Sequence, residues 1–406
     1  METSMLAFAT DLHDEGIATV LNNVQNRAGV DGLTMAVAYH DARDLFPHNP
    51  VRKVRYLEGG TVFFPPEATR YEGLQPRVSE LARTGDPLGE LCEAAGERGM
   101  RVNAWAVFLH NDRLGFAHPE CATQNAFGDR YLTDLCPSNP DVLMYARMLA
   151  SDIARYDVST ILSESLHFHG LGHGYHHERY FEELGGVGVY LLGLCFCEHC
   201  LQAARQSGVD AEMVHRSVRD ELERRFSGRS SEDPERLTRE ELEPFGGEEM
   251  LGYLDARTET VTSLVDEVAT AASGGGVGFA VLDLCGTEKG FATGHPEGEA
   301  APALGWQMGI DHAALVSVCD TVSATGYAAD PGRLNLDLEA YQALIPDASR
   351  LGLVLRPMPP DCRSAENLAA KVALARERGL ERLDFYHYGF CRLDALDWIH
   401  QALAGR

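Results

Sequence analysis

Three cysteines fall close together at Cys195, Cys197 and Cys200, separated by Phe196, Glu198 and His199. Thiolates at that spacing can wrap one soft tetrahedral ion such as zinc, provided a fourth ligand comes from elsewhere. Cys136, Cys121, His199, His176 and His177 are the residues that could complete the set. Four protein ligands leave no position for water, so a closed site of this kind is a staple for the fold and not a reaction centre. The carboxylates suited to chemistry are Glu164, which ends the run Ile161-Leu162-Ser163, and Asp283, near the end of Val281-Leu282-Asp283-Leu284-Cys285. Burial in a cleft would make a glutamate a good proton donor to a leaving oxygen, the general-acid role expected of Glu164. Asp283 would act as a base on water or coordinate a metal.

Histidines stand where strands are expected to end, at His40, His110, His167 and His387. Sugar hydroxyls need directional donors and acceptors, and aromatic faces stack on the apolar side of a pyranose ring. Tyr39, Trp105, Tyr327, Tyr386 and Tyr388 offer such faces, while Asp41, Asn103, Gln124, Asn125 and Arg356 offer hydrogen bonds. The expected substrate contacts are His40, Trp105, His110, Asn125, His167, Tyr327, Arg356, Tyr386 and His387. A denser group, His167, His169, His173, His176 and His177, reads either as a polar loop or as a catalytic metal site. In the second case Glu164 or Asp283 would join His167 and His169 as a ligand.

Such residues need elements to hold them. Short β-branched runs alternate with helical patterns along the chain. Strands are expected at 33–40, 101–110, 159–164, 277–285, 319–327, 351–356 and 382–388. A hairpin over 56–64 turns at Gly59-Gly60, and one of its arms is the expected second strand. Helices are expected over 11–27, 88–98, 140–156, 365–378 and 393–403. About eight βα units predict an α/β fold with a parallel sheet under helices. No Gly-x-Gly-x-x-Gly follows the first expected strand, and both ends carry helical patterns, so the expected fold is a (β/α)8 barrel. Residues 1–406 are expected to form one domain, with a long excursion at 165–276 after the fourth strand. That excursion holds the histidine and cysteine loops, a charged helix over 211–225 and an acidic connector around 230–249.

In order and spacing, residues 100–205 resemble glycoside hydrolase family 42, the retaining β-galactosidases with barrel folds. The likeness rests on Cys136-Pro137-Ser138-Asn139-Pro140, on Glu164 and on Cys195, Cys197 and Cys200. It implies that Cys136 is the fourth ligand, that the metal is zinc, and that Glu164 is the acid/base. The sequence departs from the family at two points. Ser163 stands where the family has Asn, and the seventh strand ends in Arg356 where the family places its nucleophilic glutamate. Asp361, after two prolines, could fold back toward that position, but Asp283 is the favoured second carboxylate.

Composition narrows the classes further. In 406 residues, 45% hydrophobic and 24% charged, a large core can form. Lys+Arg 35 against Asp+Glu 61 leaves a net charge of −26, which disfavours nucleic acid and anionic membrane as partners. No secretory signal or apolar stretch of membrane-spanning length is visible, so a cytoplasmic location is expected. Ten cysteines in a chain this long are expected as thiols or ligands, not as a disulfide scaffold. The expected function is cleavage of a glycosidic bond in a carbohydrate substrate, in a chain that can form homo-oligomers. The alternatives are a sugar-binding barrel without activity and a metal-dependent hydrolase or isomerase that uses the 167–177 loop.

Overall fold

The computed structural model describes residues 1–172, 179, 181–228, 237–290 and 298–405. Eight parallel strands close into a cylinder: β1 (Glu2–Phe8), β2 (Gly32–Tyr39), β3 (Arg101–Val107), β4 (Thr160–Glu164), β5 (Gly278–Asp283), β6 (Thr321–Thr325), β7 (Leu351–Leu355) and β8 (Arg382–Phe385). Each pairs with the next in chain order, and β1 closes the ring by pairing with both β2 and β8. A helix follows every strand: α1 (Ile17–Asn22), α2 (Pro87–Gly96), α3 (Pro140–Ile153), α4 (Glu248–Ser273), α5 (His312–Val318), α6 (Pro331–Leu344), α7 (Ala365–Glu377) and α8 (Asp394–Ala404). This is the (β/α)8 architecture expected from the alternation.

Strands packed on the lumen inside and on helices outside are buried on both faces, and they read as continuous apolar runs. All of β2 and all of β7 are buried. Near the strand starts, Ser4, Thr34 and Asn103 satisfy one another inside the barrel, at 2.6 Å between the hydroxyls and 3.1 Å from Asn103 Nδ2 to Thr34. The helices begin where the sequence signals them. The Asn139 side chain accepts from the amides of Asp141 and Val142, and Pro140 takes the first helical position, where no N–H is required. Asp311, Asp330 and Ser364 cap α5, α6 and α7 in the same way.

Two expectations need correction, and their errors offset each other. The first strand is Glu2–Phe8 and not 33–40, which is β2. β1 was hidden because its start, Glu2-Thr3-Ser4, is polar and leaves only a short apolar run, unlike the equally buried β2 and β7. The segment read as a hairpin over 56–64 contributes no barrel strand. Its first arm, Val54–Tyr56, pairs antiparallel with Arg43–Leu45, and its second, Thr61–Val62, lies antiparallel on the end of β2. The amino-terminal end of the chain therefore enters the barrel as a strand, and the count of eight stands. The helix expected over 11–27 is broken at Gly16, whose φ of 84° suits glycine, into Ala9–Glu15 and α1.

The excursion after β4 contains helices Gly185–Gly193, Glu198–Gln206 and Ala211–Phe226 before α4 returns to the barrel. They enclose a satellite core around Leu191, Phe196, Val214, Leu222, Met250 and Tyr253. Residues 229–236 of the acidic connector lie outside the described residues, as do His173, His176 and His177. No single described helix is long and apolar enough to cross a membrane.

Candidate functional site

Four sulfurs converge where the excursion meets the barrel. Cys136 follows the short strand Arg130–Leu135 and precedes the α3 cap. Cys195 and Cys197 lie between two excursion helices, and Cys200 is in the first turn of the second. Cys136 Sγ is 3.8 Å from Cys195 Sγ and 3.5 Å from those of Cys197 and Cys200, all four being buried. Zinc bonded to four sulfurs at ~2.3 Å needs edges of about 3.8 Å, so the set fits a tetrahedral ion. Hydrogen bonds shared with Cys136, Cys195 and Cys200 hold the Cys197 thiol well below its ordinary range, and the same sharing pushes Cys136 well above it. The Gln124 amide reaches Cys195 Sγ at 3.3 Å, and the Tyr253 hydroxyl donates to the Cys195 carbonyl, so the loop is held from outside the set. Of the other candidate ligands, Cys121 and His199 are not among these four residues.

Glu164 ends β4 at the carboxyl end of the barrel, where enzymes of this architecture place their working groups. Trp105, on the neighbouring β3, donates its indole N–H to Glu164 Oε2 at 2.7 Å. Around them stand Tyr39, Tyr327 and Tyr386. The Trp105 ring lies 4.7 Å from Tyr39 and 5.9 Å from Tyr386, and Tyr386 lies 5.9 Å from Tyr327. Burial pushes all three phenols above their ordinary range, and the Glu164 charge adds to the effect on each. Ser165, next to Glu164, has φ of 58°, a conformation uncommon outside glycine and frequent at functional sites. Ser163, the first departure from the family pattern, donates to the Ala280 carbonyl of β5 at 3.0 Å.

One side of the mouth is lined by imidazoles. His40 stacks on Tyr39 at 4.3 Å and on His110 at 4.6 Å, and the His110 ring is 6.0 Å from that of His169. His167 lies 4.7 Å from His169, whose Nδ1 is 3.0 Å from an Asp134 carboxylate oxygen. Among the described residues, no three of these side chains bring ligand atoms together as the four thiols do. The metal site expected of His167 and His169 with Glu164 or Asp283 is therefore not assembled from described residues. Its remaining members, His173, His176 and His177, lie outside them.

Arg356 immediately follows β7, at the second point of departure. Its guanidinium lies 4.3 Å from the Tyr327 ring centre and pairs with the buried carboxylate of Asp361. Burial raises the Asp361 pKa, against the lowering effect of Arg356. Lys371, also buried, donates to the Asp361 carbonyl at 2.6 Å. Asp361 thus does fold back to the end of β7, but as the partner of an arginine.

Two expected site residues, Asp283 and Asn125, turn elsewhere, and a third, His387, is fully buried 6.2 Å from the Trp105 ring. Asp283, the favoured second carboxylate, is fully buried and faces the helices: it accepts from His312 Nε2 of α5 at 2.8 Å, from the Tyr341 hydroxyl of α6 and from the Cys285 amide at 3.0 Å. Asn125 spends its polar atoms on its own turn, accepting from the Phe127 and Asp129 amides and donating to Asp129 and Tyr131. His387 has no exposed surface and packs on Phe8 at 4.1 Å and on Phe390 at 4.6 Å, and burial holds its pKa well below the usual imidazole value. The sequence reading missed the carboxylate of Asp134 beside His169 and the wall formed by Phe8. The latter would have been found with β1; no local signal marks the former.

No family model matches the chain, and no curated protein matches it in sequence. Solved structures share its fold. The α-L-fucosidase isoenzyme 2 from Paenibacillus thiaminolyticus superposes with a TM-score of 0.55 at 13% identity, over 99% of this chain and 48% of that one. The β-galactosidase from the psychrophilic Marinomonas ef1 gives 0.55 at 11% identity, over 100% and 59%. The catalytic domain of a β-amylase from Paenibacillus polymyxa gives 0.56 at 10% identity, over 100% and 96%. The chain thus spans about half to three-fifths of the length of the first two. It has the (β/α)8 barrel fold found in these three sugar-active proteins.

Proposed function

We propose that the protein is a glycoside hydrolase-type enzyme in which Glu164 protonates the departing glycosidic oxygen. The observation that carries this reading is the Glu164 carboxylate at the end of β4, held by the Trp105 indole inside a ring of tyrosines. The polar ring edges bond hydroxyls while the faces stack on sugar carbons, and Glu164 supplies the proton. The fold similarity to a fucosidase, a β-galactosidase and a β-amylase supports the class without selecting a sugar. The four-thiol site is proposed to hold zinc and to fix the excursion beside the mouth. That would agree with the resemblance to family 42.

A second reading, a barrel that binds sugar without cutting it, is favoured by one observation. The end of β7 carries the Arg356–Asp361 ion pair where a retaining enzyme needs a free carboxylate. Assay of the purified chain on a panel of nitrophenyl glycosides, with Glu164→Gln alongside, separates the two. The hydrolase reading expects turnover by the wild type and a loss of roughly a hundredfold or more in the variant. Saccharide binding by both proteins with turnover by neither would establish the second reading.

A further inference from the structure

Beside the mouth lies a second concavity of about 360 Å³, between the loops that follow β7 and β8. Phe390 forms one of its walls and also packs on His387 at 4.6 Å and on Tyr386 at 5.8 Å, so this wall adjoins the aromatic residues around Glu164. Trp398, in the second turn of α8, forms another wall, half-buried and without ring contact to any described aromatic residue. With Pro357 and Pro359 these side chains present flat apolar surface, the kind that stacks on the carbon face of a pyranose.

The charges at the rim are uneven. Arg392 is neutralised by Asp394, with hydrogen bonds of 3.0 and 2.6 Å. Arg363 is exposed and has neither a hydrogen bond nor an ion pair with any described residue. The concavity therefore carries one uncompensated positive charge, in a chain whose net charge is −26. A guanidinium matches a carboxylate in shape and charge, whereas a phosphate dianion would leave surplus negative charge beside Asp394.

We propose that this concavity is a subsite for a sugar ring bearing one carboxylate, a uronic acid unit of a glycan that runs past Phe390 to the mouth. The inference rests on the mouth being a saccharide site, and it assigns to that site an acidic oligosaccharide. The test is titration of the full chain with methyl glucuronide, methyl glucoside and inorganic phosphate at physiological ionic strength, followed by calorimetry. Glucuronide should bind roughly tenfold or more tightly than glucoside. Arg363→Met should erase that preference, Trp398→Leu should weaken both sugars, and Glu164→Gln should leave the preference intact. Equal binding of the two methyl glycosides by the wild type would overturn the proposal. So would displacement of glucuronide by an equal concentration of phosphate, which would mark a general anion site. A preference for glucuronide in a protein that hydrolyses nothing would refute the hydrolase reading and leave the subsite standing.

Discussion

A carboxylate at the end of a barrel strand has two directions to face, because successive side chains alternate between the lumen and the helical layer. Glu164 and Asp283 both occupy such ends, and composition does not distinguish them. The structure turns Asp283 outward to His312 and Tyr341. Burial works against its charge, but His312, the Cys285 amide and Tyr341 together hold its pKa well below the carboxylate range. Its stabilising contribution is present above the unfolded pKa of about 3.9 and is lost as pH falls through the lower folded value. Asp283→Asn should therefore destabilise the chain by about 3 kcal/mol at neutral pH, as measured by denaturant unfolding. Activity per folded molecule should stay unchanged; a folded variant with its rate lost would return Asp283 to the chemistry.

At the scale of elements, the thiol quartet ties the short strand before α3 to the loop between two excursion helices. Metal bound there contributes directly to the folding free energy of everything it joins. Cys197→Ser should lose about one zinc per chain and lower the thermal midpoint, with the excursion more open to protease than the barrel. Full retention of metal by that variant would refute the zinc assignment. Three of these cysteines were legible because their spacing is local. The site's other pairings, Asp134 with His169 and Arg356 with Asp361 across a proline turn, depend on how loops fold back, which spacing does not encode. The eight-unit alternation was legible for the same reason as the thiols. β1 was not, because its polar first residues, Glu2-Thr3-Ser4, interrupt the apolar run by which the other doubly buried strands were marked.

For the whole molecule, the seam between β1 and β8 is where the barrel closes, and it is built around buried titratable groups. Asp11 accepts from the Phe8 amide at 2.9 Å and lies 4.0 Å from His387. Burial pushes its pKa up to about 7, with Glu15 and Asp14 adding to the rise while the Phe8 amide and His48 oppose it. The folded seam thus holds a proton that the unfolded chain releases near pH 3.9, and stability should decline as pH rises from about 4 to about 7. Asp11→Asn should flatten that decline. The check is the change in melting temperature between about pH 5 and about pH 8, which should be smaller in the variant than in the wild type; equal changes would remove Asp11 from the linkage.

The pairing of Glu2 with Arg382 has a further consequence, for the growing polypeptide. On the ribosome, β1 is made long before β8 and keeps one hydrogen-bonding flank vacant until almost the whole of the remaining barrel is translated. A product interrupted before Arg382 keeps two such flanks, on β1 and on β7, each able to capture a strand from another nascent chain.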